Sequence, residues 1–275
     1  MRRFKLKFVI SFIFIILISH SAYSLNIASW NIQRLGHGDK KDFKSLSQIF
    51  SINHFDFIAI QEVMNEKGLE SLRQSVSKAT GEEWKEIHSH LTGSKSYKEM
   101  YAFLWRPSKV EYVNGAVVYL DPEKYFVREP FSAKFKDIKS NDVFLVATVH
   151  ILFGKNIHDR KSEVKALSSY WNWLAQSFPD TERKIILTGD FNMDPKKEAW
   201  TSLKTLAVPL LTEGASTVSS IDGKFANLYD NFWIGHKTSL HIRKVELINA
   251  PMQLKFTHEL FRATISDHIP IMVEI

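Results

Sequence analysis

Ionisable and amide side chains recur where apolar runs give way to polar ones: Trp30-Asn31, Gln61-Glu62, His150, Gly189-Asp190-Phe191-Asn192, Tyr229-Asp230 and Ser266-Asp267-His268. A single acid at such a boundary is most simply a helix cap or a turn former. Six boundaries of matching chemistry argue for convergence, because strand ends in layered α/β architectures hold side chains rigidly around one crevice. Asp190 and Asn192 form the sharpest pair. Two apart on an extended backbone they project to the same side, Asp190 offering a hard anionic oxygen suited to Mg²⁺ and Asn192 an amide that donates to a phosphate oxygen. An Asx-turn is the competing use, but Asp194 is already available to cap the turn at Pro195. In Asp267-His268 adjacent residues can divide duties, the carboxylate toward a metal or water and the imidazole toward a substrate. An imidazole with a pKa near ~6.5 exchanges protons usefully at neutral pH.

Composition narrows the chemistry further. The 275 residues contain no cysteine, which excludes disulfides, thiol nucleophiles, Cys-ligated zinc and iron–sulfur clusters. With 44% hydrophobic and 24% charged residues the chain is globular, neither disordered nor repetitive. Arg2, Arg3, Lys5 and Lys7 precede an apolar run from Phe8 to Ile18 and a polar stretch ending Ala22-Tyr23-Ser24. A basic start, a short apolar middle and small residues at −3 and −1 describe a secretory signal peptide over 1–24, with the mature chain beginning at Leu25. The run falls short of the ~20 residues of a membrane-spanning helix. Without the four leader cations, 32 basic residues stand against 30 acids, so the overall +6 does not argue for a broad nucleic-acid-binding face.

The elements that must position these groups alternate along the chain. Strands are expected at 25–30, 55–60, 84–91, 100–105, 109–120, 131–136, 143–149, 184–187, 228–234 and 269–275, from period-2 patterns or short buried runs. Helical periodicity marks 41–52, 66–79, 160–178 and 196–206, and a Gly/Ser/Thr-rich loop fills 212–224. With no internal repeat and no Pro/Gly-rich linker, residues 25–275 read as one domain of sheets packed face to face with helices outside.

The order and spacing of Trp30-Asn31-Ile32-Gln33, Gln61-Glu62-Val63, Gly189-Asp190-Phe191-Asn192 and Ser266-Asp267-His268-Ile269-Pro270 resemble those of the endonuclease/exonuclease/phosphatase superfamily over essentially the whole mature chain. Ser96 to Pro107 and Arg128-Glu129-Pro130 are similar to segments of deoxyribonuclease I that carry a catalytic acid and a DNA contact. The resemblance implies a four-layer α/β/β/α sandwich of two packed mixed sheets. It also implies metal-dependent hydrolysis of DNA phosphodiesters with little sequence specificity. Carried over by position, Glu62 would be the principal Mg²⁺ ligand, with Asn31, Asp190 and Asp267 beside the metal and the scissile phosphate; Mn²⁺ or Ca²⁺ are the alternative ions. His268 would pair with Asp230 and His150 with Glu99, one imidazole as base and the other as acid or phosphate clamp. Asn192 and Asn31 would donate to non-bridging oxygens. Tyr97 would pack on sugar or base, and Arg128 would reach a phosphate or the minor groove.

The sequence also departs from that family. Gln33 and Met64 stand where it carries arginines, and the 212–224 loop lacks a ligand spacing for structural Ca²⁺. The expectation is therefore a secreted or periplasmic monomer that acts on DNA, with RNA as a second candidate substrate and no membrane insertion after leader removal. The alternatives are a phospholipid or inositol-phosphate phosphodiesterase on the same fold, and a non-catalytic secreted binding or toxin-subunit protein. Residues Gly154, Lys155, His158 and Arg160 fit a phosphate-gathering loop and a plain solvated loop equally well. Lys40-Lys41 and Lys196-Lys197 read as solvated helix starts, and His88 and His90 as ordinary histidines. Tyr170, Trp171 and Trp173 read as core or groove-filling aromatics.

Overall fold

The computed structural model describes residues 24–38 and 40–275; the expected leader, Ser24 apart, lies outside the described residues. In chain order the elements are β1 (Asn26–Leu35), α1 (Phe43–Ile52), β2 (Phe57–Val63), α2 (Glu66–Thr80), β3 (Lys85–His88), β4 (Thr92–Gly93), β5 (Lys98–Trp105), β6 (Val110–Val118), β7 (Phe131–Asp137) and β8 (Val143–His150). They continue with α3 (Ile157–Ser177), β9 (Ile185–Asp190), α4 (Thr201–Lys204), β10 (Ala207–Pro209), β11 (Asp230–Gly235), β12 (Lys244–Leu247), α5 (Ala250–Leu254), α6 (His258–Thr264) and β13 (Ile271–Glu274). No described helix is long and apolar enough to cross a membrane.

One sheet runs β12-β13-β1-β2-β5-β3, with β4 also on β5; the other runs β10-β11-β9-β8-β7-β6. Both are mixed. At the centre of each lies one parallel pair, β1 with β2 and β8 with β9, flanked by antiparallel neighbours. The result is the expected four-layer arrangement. A core of Trp30, Ile58, Ile60, Leu69 and Leu104 lies under α1 and α2, and a second of Leu145, Leu167, Leu174 and Leu187 lies under α3. Between the sheets, Phe57, Phe103, Phe135 and Phe144 interlock, with the Phe57 and Phe135 rings 4.7 Å apart edge to face. Each such buried ring contributes roughly 1.5–3 kcal/mol by leaving water.

Strand parity explains where the polar residues go. On β1, Ile27 faces the inter-sheet core while Ala28 and Trp30 face the helices. On β5 the inward set is Tyr101, Phe103 and Trp105, on β8 Phe144 and Val146, on β9 Ile186, and on β11 Phe232. Period 2 along each strand carries Asn31, Glu99, His150, Asp190 and Asp230 to the inward side as well. Register then sets them level: Asn31 pairs with Gln61, His150 with Asp190, and Asp190 with Asp230. The same alternation that fills the core with rings thus leaves its open end lined with acids and imidazoles.

Several expected boundaries move. The helix expected over 196–206 is a 3-10 turn at Glu198–Trp200 followed by the single turn of α4. Trp200 is buried there with its Nε1 donating to Asp194 O at 2.9 Å, which holds the chain in a tight turn instead of a regular helix. The long helix begins three residues early, at Ile157, because Asn156 and Asp159 form a reciprocal capping box. Short β10 and β12 and the small helices α5 and α6 have no periodicity long enough to be read from the sequence.

Gly189 sits at φ +132°, and a Cβ there would lie 2.0 Å from the Val149 carbonyl oxygen of the neighbouring parallel strand. Replacement by alanine must separate β8 from β9 at the point where His150 and Asp190 pair. Gly189→Ala is expected to lower unfolding free energy by at least about 2 kcal/mol, read from denaturant midpoints; an unchanged midpoint would show that the strands can part there freely.

Candidate active site

Asp190 is fully buried and receives donors from every side. His150 Nε2 lies 3.5 Å and His268 Nε2 3.4 Å from its Oδ2, Asn31 Nδ2 donates to the same oxygen at 3.1 Å, and the Asn192 backbone N–H donates to Oδ1 at 2.9 Å. Each imidazole has a second carboxylate behind it: His150 Nδ1 is 2.8 Å from Glu99 Oε1, and His268 Nδ1 is 2.6 Å from Asp230 Oδ2. Burial alone would push both imidazoles toward the neutral form. Beside His268 the charges of Asp230 and Asp190 outweigh it and hold the imidazolium well above the usual range. His150 is raised too: burial and Arg128 oppose its charge, and Glu99 and Asp190 prevail. Burial likewise opposes the charge on Asp190, but His268 and His150 carry its carboxyl below the usual value.

Glu62 completes the arrangement from the opposite sheet. Its Oε1 accepts from Asn31 Nδ2 at 3.0 Å, and its Oε2 accepts from the Arg34 backbone N–H at 3.0 Å and the Tyr97 hydroxyl at 3.1 Å. All three donors are neutral, and no described lysine, arginine or histidine pairs with Glu62. The backbone around it is left-handed: φ is +40° at Gln33, +54° at Arg34, +60° at Glu62 and +49° at Asn192. Four non-glycine residues in that region store roughly 1–3 kcal/mol each, and each of the four either carries or orients a contact at the site. The family resemblance implies Glu62 as a ligand, but simple alternation from Phe57 and Ala59 would turn it toward the helices; the left-handed turn brings it back.

Glu62, His150, Asp190, Asn192, Asp267 and His268 line one cleft of roughly 470 Å³, so the expected residues share a crevice. A larger groove of about 720 Å³ between α1 and α2 has serines, lysines and glutamines in its wall but no acid or imidazole. Two groupings of donors can be compared for a cation. Asp190, Asp230 and His268 bring ligand atoms within 4.8 Å of one another, but both nitrogens of His268 are already directed at those two carboxylates. Glu62 and Asp267 line the same cleft beside Asp190. Glu62 has no ion pair among the described residues, and Asp267 Oδ1 is buried with no hydrogen-bond partner while its Oδ2 lies 3.5 Å from Arg262 Nη2. Hard oxygens left over in this way fit a divalent ion of the Mg²⁺ type.

Several residues are placed otherwise than the sequence suggests. Asn31 does not offer its carbonyl oxygen: the amide nitrogen bridges Glu62 and Asp190, where only a donor fits, and Oδ1 accepts from Gln33 N at 2.9 Å. Asp190 and Asn192 do not project in parallel from an extended strand. The chain turns, Asp190 itself makes the Asx-type contact, and the Asn192 amide donates to Ile151 O at 2.8 Å. Arg128 is only 6% exposed; its Nε donates to His150 O at 2.9 Å and lies 3.8 Å from Glu99, so it supports that pair from behind. Tyr97 uses its hydroxyl to brace Glu62. Lys41 is no solvated helix start: Nζ donates to Ile265 O at 2.5 Å, and burial lowers its pKa to about 8 despite the nearby charges of Asp267 and Glu62. The sequence motif names Ser266 without a role; its Oγ donates to Asn31 O at 2.6 Å and accepts from His268 N at 3.1 Å. Sequence reasoning missed Tyr101, whose hydroxyl accepts from His150 N at 3.0 Å.

Comparison with known proteins identifies the fold and the family. A deoxyribonuclease from Thioalkalivibrio sp. (strain K90mix) is 43% identical over 265 residues, spanning 94% of this chain and 73% of that protein. Deoxyribonuclease-1-like 2 from Mus musculus is 26% identical over 266 residues, 92% of each chain. Among solved structures, an endonuclease/exonuclease/phosphatase from Bacteroides vulgatus superposes with a TM-score of 0.66 at 15% identity, covering 92% of this chain and 98% of that one. No protein-family model matches the chain. The two packed sheets are thus those of the endonuclease/exonuclease/phosphatase fold, with the polar cleft at its open end. Within that class the chain belongs to the deoxyribonuclease family and is a phosphodiesterase-type enzyme.

The raised His268 has a consequence for stability. A folded imidazole that keeps its proton to higher pH than the unfolded one stabilises the fold fully below about pH 6.5, and that contribution fades as pH rises through the folded value. Asp230→Asn removes the carboxylate on His268 Nδ1. In metal-free buffer the stability gap between wild type and Asp230→Asn should be widest near pH 6 and narrow toward alkaline pH; equal gaps throughout would show that Asp230 does not hold the proton on His268.

Proposed function

We propose that the chain is a Mg²⁺-dependent endonuclease that hydrolyses DNA phosphodiester bonds with little sequence preference. The observation that carries this reading is the pair of imidazoles whose Nε2 atoms face one buried carboxylate, each braced by its own acid, beside the unpaired charge of Glu62. A binding protein has no need of two histidines each braced by its own carboxylate and aimed at a third. Glu62, Asp190 and Asp267 would hold the ion. When bound, it supplies positive charge against the anionic oxygens that otherwise repel a nucleophile from a phosphodiester.

The remaining work falls to the chain itself. Glu99 fixes the His150 ring through Nδ1, and Asp230 fixes that of His268, so in both rings Nε2 is the atom presented to the cleft. With one ring neutral and the other an imidazolium, the neutral Nε2 takes a proton from the attacking water and the charged one returns a proton to the leaving 3′-oxygen. Asn31 spans the carboxylates of the two sheets, keeping Glu62 and Asp190 at a fixed separation while charge changes between them. Backbone groups and buried side chains make nearly all of these contacts, so little reorganisation accompanies reaction.

His150→Ala and His268→Ala are each expected to lower plasmid nicking by about 10²–10⁴-fold with the fold retained, and chelation should abolish the reaction until Mg²⁺ is restored. Wild-type rates in either variant would remove that imidazole from the chemistry. Turnover of sphingomyelin or inositol phosphates without any DNA cleavage would replace the nuclease reading altogether. The basic, apolar and small-residue pattern of residues 1–24, with a cysteine-free chain, supports action outside the cytoplasm. Intact mass of exported protein should begin at Leu25, and retained Met1 would count against export.

A further inference from the structure

Phe153 lies three residues beyond His150 and is 55% exposed, although it is among the largest apolar side chains near the site. It lines the cleft that holds Asp190 and His268, and also the adjoining one that holds Tyr97 and Arg128. Glu62, His150 and Asp267 line both as well, so the ring stands on the ridge where the two clefts meet beside the reacting groups.

The ring is held there by a dedicated contact. The Arg160 guanidinium carbon lies 4.1 Å from its centroid, within cation–π range. Arg160 is itself buried, donating through Nε to Phe153 O at 2.7 Å and through Nη1 to Asn192 O at 2.5 Å and the Tyr229 hydroxyl at 3.3 Å. The loop is pinned on either side: Leu152 N donates to Glu163 Oε2 at 2.9 Å and Lys155 N to Asp159 Oδ2 at 2.7 Å. Arg160, which the sequence allowed as a phosphate-gathering cation, is therefore spent on orienting an aromatic ring. An exposed, oriented ring that packs into no core is available to a flat ligand.

We infer that Phe153 is a stacking platform for an unpaired nucleobase next to the scissile phosphate, so that single-stranded DNA is cut in preference to intact duplex. This rests on the nuclease reading above and names the strand state that the same cleft selects. In a duplex both faces of each base are covered by neighbouring pairs; only an unpaired base has a free face for the ring. Behind the ring Arg160 directs Nε and Nη1 at Phe153 O, Asn192 O and the Tyr229 hydroxyl, which holds the guanidinium against the ring face.

The test uses the mature protein with Mg²⁺ and three 12-mer substrates: a single strand, the same sequence as duplex, and a single strand with an abasic residue on each side of one phosphodiester. Wild type should prefer the single strand and cut poorly at the abasic position. Phe153→Ala should reduce the single-strand to duplex ratio of kcat/KM by at least about fivefold, the loss falling mainly on KM. Phe153→Trp should restore the ratio and Phe153→Leu should not. Equal losses on both strand states, an unchanged ratio, or full rescue by leucine would each overturn the stacking role. Failure of wild type to cut any of the three would instead defeat the nuclease reading, so the two failures are distinct.

Discussion

A carboxylate with no access to water is costly unless its charge is matched, and Asp190 is such a group at the point where the two sheets meet. Its compensation comes from both sides of the sandwich: His150 from the sheet that also carries Asp190, His268 and Asn31 from the other. Within the buried cluster Glu99, Asp190 and Asp230 face His150, His268 and Arg128, and the opposite charges alternate along it. That cluster is balanced by itself. Glu62 lies outside the balance, held only by an amide, a backbone N–H and a phenol. The buried cluster is thus matched in charge, and Glu62 and Asp267 stand on the cleft side of it, near Lys41 and Arg262.

This dependence on Asp190 explains why the fold cannot be loosened near the cleft. The hub requires the two parallel strand pairs to end level with one another, and Gly189 lets β8 and β9 approach closely enough for that. It also requires the β1 and β2 ends to bend inward, which the left-handed Gln33, Arg34 and Glu62 accomplish. Strain at these positions is offset by the hydrogen bonds that their unusual conformations allow: Gln33 N to Asn31 Oδ1 and Arg34 N to Glu62 Oε2.

Much of this was legible in the chain. Period 2 on β1, β8 and β9 marks which residues face the inter-sheet core, and polar residues of the same parity at the strand ends must then be the lining of its open end. The acid–imidazole pairs came from a resemblance, not from parity, since nothing in the spacing of Glu99 and His150 or of Asp230 and His268 says that they touch. What stayed hidden shares one cause: it depends on backbone geometry or burial that one residue type does not encode. A left-handed φ at Glu62 breaks the alternation that would otherwise aim it wrongly. An arginine reads as a surface cation in sequence, yet Arg128 and Arg160 are both buried on backbone carbonyls. Lys41 is likewise capped by Ile265 O, a partner more than two hundred residues away.

The departures from the deoxyribonuclease I pattern can be weighed on the same footing. At Gln33 the contact at the site is made by the backbone N–H, so exchanging an arginine for glutamine preserves the support of Asn31 and alters only what the side chain reaches outside. Met64 lies against the Tyr97 hydroxyl, its sulfur at 3.8 Å, and there a thioether replaces a charge that would have stood close to Glu62. Both changes remove cations from the rim and leave the strand-end machinery intact. Fewer rim cations weaken the hold on any phosphate backbone, so a contact to an unpaired base would carry more weight under the stacking role proposed for Phe153. The loss of rim arginines and the presence of an oriented ring at Phe153 therefore point toward the same kind of substrate, although they arise on different loops of opposite sheets.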